Sequence, residues 1–147
     1  MISVKTYIKS NSEFVEFNHY EEAFEDSDYI EGAIELTING VILFNKDMWD
    51  YIDQLWSYIA DGIICIQSNK PFETYFPDQP IKISFTPVKE SVSVSVICYS
   101  EIKVKVDKKE FIHEMSKHVI SFFDYLRRKD ATFNGRYAEL FSLLYRH

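Results

Sequence analysis

Between Ser91 and Val106 the sequence alternates apolar and polar residues without a break. Val92, Val94, Val96 and Cys98 alternate with serines, and Ile102, Val104 and Val106 follow Glu101, Lys103 and Lys105. A period of two is the signature of a half-buried strand. At ~3.3 Å per residue, one straight strand of that length would span about 53 Å, which is longer than a domain of this size. The chain must therefore reverse or bend sharply, and Tyr99-Ser100-Glu101 is the expected place. Upstream, Ile81, Ile83 and Phe85 alternate with Lys82, Ser84 and Thr86, and Pro87-Val88-Lys89-Glu90 supplies a turn. The middle of the chain thus reads as antiparallel sheet.

A second sheet signal lies at Ile34–Phe44. Asn39-Gly40 is a favoured central pair for a type I′ turn, since both positions need positive φ. A two-residue loop there sets Ile38 opposite Val41, Leu36 opposite Leu43 and Ile34 opposite Asn45. Thr37 then faces Ile42 and Glu35 faces Phe44, leaving one face almost wholly apolar. Met1–Ser10 also alternates, with Ile2, Val4 and Ile8 sharing a face, and Glu13–Phe17 suggests a second short strand. His19–Asp28 reads as an exposed acidic loop or short helix.

After the hairpin, Asn45 or Asp47 is suited to cap a helix running to about Ala60, with Gly62 ending it. Met48, Ile52, Leu55 and Ile59 form its apolar stripe, flanked by Trp49 and Trp56, while Asp50, Asp53 and Ser57 lie off it. Core packing is the expected role of both tryptophans. Ile63–Ile66 then suggests a short buried strand, and Pro71, Pro77 and Pro80 bracket a loop anchored by Tyr75-Phe76. Asp107 and Glu110 form a capping box that opens a long helix with the stripe Phe111, Met115, Val119, Phe122 and Leu126. That helix closes on Arg127-Arg128-Lys129, where cations suit the helix dipole. A last helix starts near Phe133 or Asn134.

These elements predict an α+β fold: a meandering antiparallel sheet with helices packed on one face, over a single domain spanning 1–147. The length suffices to bury roughly 68–70% of the unfolded surface. No Gly-rich strand-to-helix turn supports a doubly wound nucleotide-binding sheet. No apolar run reaches the ~18–20 residues of a membrane span, and the first ten residues do not resemble a signal peptide. Cys65 and Cys98 fall in expected strands and read as buried free thiols of a cytoplasmic protein.

Candidate chemistry is sparse. His113 and His118 are five apart, about 140° around a helix, so they do not share a metal as the four-residue spacing of zinc proteases allows. They read as solvent-facing. Asp47, Asp50 and Asp53 spiral around their expected helix and read as a solvated, helix-favouring set. The serines of Val92–Val96 lie in no nucleophile-elbow pattern. No catalytic residue, metal ligand or cofactor site is assigned, and enzymatic activity is not expected.

Charge is the feature above background. The formal net charge is −7, but residues 1–69 carry 13 acidic against 3 basic side chains, while residues 70–147 carry 10 against 13. Ser10–Asn45 contains no Lys or Arg. A net negative chain whose basic cluster is confined to Arg127-Arg128-Lys129 is a poor nucleic-acid binder. The acidic span instead suggests a surface for a basic protein, with Glu21, Glu22, Glu25, Asp26 and Asp28 supplying charge and Tyr20 and Phe24 supplying anchors. Being small, acidic, aromatic-rich and without a catalytic signature, the chain resembles bacterial immunity and inhibitor proteins in general composition. The alternative is a small-molecule-binding domain or an enzyme of unfamiliar type, with a pocket between sheet and helices. Oligomeric state is left open by the sequence.

Overall fold

The computed structural model describes residues 1–145 and has the α+β architecture expected, built on two antiparallel sheets instead of one. In the first sheet, β1 (Ile2–Ser10) is central to the N-terminal half. It pairs with β2 (Glu13–Glu16) on one side and β3 (Glu31–Ile38) on the other. Beyond β3 lie β4 (Val41–Phe44) and a two-residue strand, β5 (Asp50–Tyr51). The second sheet is a meander of β6 (Phe72–Tyr75), β7 (Lys82–Val88), β8 (Ser91–Cys98) and β9 (Ser100–Asp107). The long alternating run reverses at Tyr99, as its length demands, with Tyr99 itself at φ 69°.

The Asn39-Gly40 turn forms with both residues at positive φ, 50° and 82°. Ile38 faces Val41 and Thr37 faces Ile42 as expected, but a bulge then shifts the register so that Leu36 faces Phe44, not Leu43. The physical reason is burial. A bulge lets consecutive residues of one strand aim inward, and Leu43 and Phe44 are both buried.

The tryptophan helix is displaced from its expected position. The Asn45 side chain does cap, accepting from Asp47 N at 2.9 Å, but it caps a single 3₁₀ turn, Lys46–Met48. The chain then extends through Trp49 to pair Asp50–Tyr51 with Glu31–Gly32, and α1 occupies Ile52–Gln67. Asp50 explains the interruption. It is buried, and its carboxylate accepts from the backbone N–H groups of Tyr51 at 2.7 Å and of Asp78 and Gln79 at 3.0 Å each. A carboxylate holding three N–H groups is satisfied without solvent.

Gly62 does not end the helix but lies inside it, and Ile63–Ile66, expected as a strand, completes it; Cys65 is therefore helical. A Cβ at Gly62 would come within 2.6 Å of Phe72 and Phe85 ring atoms, so glycine is what lets the helix approach β6 and β7. The other long helix, α2 (Lys108–Lys129), begins as expected, with Asp107 accepting from Glu110 N at 2.9 Å. After a 3₁₀ turn at Ala131–Phe133, α3 (Asn134–Leu144) packs on α1 through Arg136, which bonds Ser57 and Asp61 at 2.9 Å.

The core runs continuously under both sheets. Phe85 of β7 meets Phe111 of α2 edge-on at 5.1 Å, and Trp56 of α1 is wholly buried beside His118 of α2. In the central loop, Phe76 is the anchor, whereas Tyr75 is exposed. No helix among the described residues is long and apolar enough to cross a membrane.

Candidate acidic recognition surface

The acidic span becomes a long connection between β2 and β3. It opens with a 3₁₀ turn at Phe17–His19 that drives Phe17 into the core, edge-on to Phe122 at 5.4 Å and Tyr125 at 5.3 Å. The next residues are tied to the C-terminal end of α2. Tyr125 donates its hydroxyl to the Tyr20 carbonyl at 2.8 Å, and Lys129 Nζ donates to the Glu22 carbonyl. Tyr20 stacks on Phe24 with centroids 6.1 Å apart, and the Lys129 ammonium lies 5.2 Å from both rings. Burial lowers the Lys129 pKa, and Glu21 and Glu22 oppose that shift. Burial raises the Tyr125 hydroxyl above its ordinary value. Further on, Asp26 Oδ1 accepts from Asp28 N at 2.9 Å, which closes a turn.

This arrangement sorts the residues singled out from sequence. Glu21, Glu22, Glu25, Asp26 and Asp28 are all exposed, so the charged part stands on the surface. Tyr20 is buried and Phe24 half-buried; both face the protein and hold the loop down, so neither is a free anchor. The reason is the apolar end of α2, where Phe122 and Tyr125 need cover.

The exposed aromatics of this face are different ones. Tyr29 is 59% exposed and leans on Tyr51 of β5 at 5.4 Å. Trp49, expected in the core, is 37% exposed, with the Lys9 ammonium 4.4 Å above its ring. Lys9 also reaches within 4.0 Å of Glu31. Two small clefts meet here. One, of about 110 Å³, is lined by Lys9, Tyr20, Glu25, Asp26, Tyr29 and Glu31 among others. The second, of about 270 Å³, is lined by Asp47, Trp49, Asp50, Tyr51, Asp78 and Gln79. The Tyr29–Tyr51 and Lys9–Trp49 contacts join them into one acidic face. The Tyr51 hydroxyl pKa is raised, first by desolvation and then by Asp78, Glu31, Tyr29 and Asp50.

Asp53 stands at the start of α1. Burial pushes its carboxyl up to about 6, although the N–H groups of Gln54 and of Asp53 itself pull it down; Asp28 pushes it further up. Its Oδ1 is buried without a partner. Sequence reasoning grouped Asp47, Asp50 and Asp53 as a solvated set, but they fall on a 3₁₀ turn, a strand and a helix, with only Asp47 exposed. The signal missed was the pairing of Asp50–Tyr51 with Glu31–Gly32, which is non-local and invisible to helical periodicity.

His118 also departs from expectation. His113 is exposed, but His118 is largely buried, 5.3 Å from Trp56 and 5.8 Å from Phe17. Its Nε2 is 2.7 Å from Thr6 Oγ1, and that oxygen accepts from Trp56 Nε1 at 2.8 Å. Thr6 is wholly buried, so its hydroxyl hydrogen is satisfied only by pointing at His118 Nε2, which leaves the imidazole proton on Nδ1. Burial lowers the His118 pKa to about 4. The spiral of helical positions put this histidine on the polar flank; β1, arriving from far away in sequence, covers that flank.

Among the described residues, no group of three or more His, Cys, Asp or Glu side chains is placed to hold a metal ion. Cys65 and Cys98 are free and half-buried. In β8, Ser95 donates to Glu101 Oε2 at 2.6 Å and is thereby engaged within the sheet. No family model, curated protein or solved structure matches the chain.

Proposed function

We propose that the protein is a binding module of the immunity or inhibitor kind, whose acidic face takes a basic protein partner. The observation that carries this reading is the placement of two exposed aromatics, Tyr29 and Trp49, and the half-buried Tyr51 among cleft-lining carboxylates from Glu25, Asp26, Glu31, Asp47 and Asp78, with the exposed Asp28 next to Tyr29 in the chain. Aromatic anchors supply affinity, and a rim that is predominantly acidic apart from Lys9 supplies steering toward the opposite charge. Tyr20 and Phe24 serve this surface from beneath by fixing the loop. The net charge of −7 favours a basic protein over nucleic acid, and the two free thiols support a reducing, cytoplasmic setting.

Affinity capture from the native host tests the reading, using the wild-type chain beside a Glu21→Lys, Glu22→Lys, Glu25→Lys, Asp26→Lys variant and a Tyr29→Ala, Tyr51→Ala variant. The expected result is a basic protein retained by wild type, lost from both variants and released by raised salt. A partner held equally by all three chains would overturn it.

A further inference from the structure

A sizeable hollow lies away from the acidic face. It is a groove of about 730 Å³ between the last turn of α1, the first two turns of α2 and the last turn of α3. That volume is in the range of small-molecule sites, ~300–1,000 Å³. Its walls are apolar where Ile64, Ile112 and Leu143 line it; Gln67 and Ser68 contribute polar groups from the end of α1, and Lys109, His113 and Ser116 contribute theirs from one face of α2. Positions four and three apart on a helix share a face, so these three form a row from rim to floor.

Ser116 is the telling member. It is 2% exposed, and its Oγ has no hydrogen-bond partner. A buried hydroxyl without a partner is costly, so an occupant that bonds it is favoured. Within the lining, Gln67 Nε2 donates to the Leu144 carbonyl at 2.9 Å and so ties the end of α3 to α1. Among the described lining residues none is acidic, in a chain that is acidic overall. On the neighbouring face of α2, the Glu114 carboxylate lies 3.6 Å from Lys117 Nζ and 3.9 Å from His113 Nε2. The positive end of the α2 dipole adds to the field of Lys109.

We propose that this groove binds a small amphipathic anion, an acid head group on a single apolar tail. The head sits between Lys109 and His113 and takes the Ser116 hydroxyl, while the tail lies along Ile64, Ile112 and Leu143.

The test is a two-dimensional amide NMR titration of the full chain with decanoate, using decan-1-ol and decyltrimethylammonium as neutral and cationic controls. Decanoate is expected to give saturable shifts centred on Ile64, Ile112, Ser116 and Leu143. Lys109→Glu with His113→Glu is expected to weaken decanoate about tenfold or more and to leave decan-1-ol unchanged. Ser116→Ala is expected to weaken decanoate about fivefold. Lys109 and His113 are exposed, and retained spectral dispersion confirms that their variant is folded. No saturation by about 1 mM, equal binding of decyltrimethylammonium, or decanoate affinity unmoved by the Lys109 and His113 changes would overturn the proposal.

Discussion

Trp56 and His118 share one hydroxyl. The indole Nε1 donates to Thr6 Oγ1 at 2.8 Å, and the same oxygen lies 2.7 Å from the imidazole Nε2, so a single threonine on β1 satisfies polar atoms from both long helices. Buried polar groups of this kind are inexpensive when all are paired and costly when one partner is removed.

Thr6→Val keeps the shape and removes the hydroxyl, stranding the indole N–H and the imidazole nitrogen. The expected loss is about 2–4 kcal/mol of folding stability, read by urea denaturation. Thr6→Ser is expected to lose much less.

His118 gives stability a pH dependence whose sign follows from its lowered pKa. The unfolded chain binds a proton near 6.5, whereas the folded chain resists it until about 4. The contribution is therefore complete above pH 6.5 and declines as pH falls toward 4, by about 2–3 kcal/mol. A series of denaturation curves across that window should show this slope, and His118→Gln should flatten it.

Asp53 acts in the opposite sense. Its folded pKa, about 6, lies above the ordinary 3.8, so the fold favours the protonated acid and stability falls as pH rises from 3.8 to 6. The N-terminal dipole of α1, worth about 0.3–1 kcal/mol, is outweighed by desolvation. Asp53→Asn is expected to stabilise by about 1–2 kcal/mol at pH 7, discounted for partial exposure, and to match wild type at about pH 3.5. Equal stability of the two chains at pH 7 would count against the burial of this carboxyl and its unpartnered Oδ1.

Gly62→Ala places a methyl 2.6 Å from the rings of Phe72 and Phe85. Phe85 is buried between Phe72 at 5.6 Å and Phe111 at 5.1 Å and has little room to move. Alanine's better helix propensity, about 1 kcal/mol, is expected to be overcome by overpacking, for a net loss of about 1–3 kcal/mol in thermal or urea denaturation.

Local patterns carried much of this fold. The Asn39-Gly40 turn, the reversal at Tyr99, the Asp107 cap and the α2 stripe are all encoded within a few residues of where they act. What escaped was set by partners distant in sequence. Asp50 leaves the helix because Glu31–Gly32 pairs with its strand and because Asp78 and Gln79 supply N–H groups. Gly62 stays inside the helix because Phe72 and Phe85 approach it. His118 is buried because β1 crosses its face. For the candidate surface, the exposed acids were legible as charge, but which aromatics face outward was not: Tyr20 and Phe24 are taken by α2, while Tyr29 and Trp49 are left outside and Tyr51 is half-buried beside Tyr29.

The tie between β1 and α2 also orders events during synthesis. Thr6 and His118 are 112 residues apart, and Tyr20 and Tyr125 are 105 apart. At translation rates of about 5–20 residues per second, the N-terminal sheet emerges from the ribosome roughly 5–20 s before the helix that covers it. Through that interval the nascent chain presents Thr6, Phe17 and Tyr20 uncovered, and the first half of the protein waits on the second to become native.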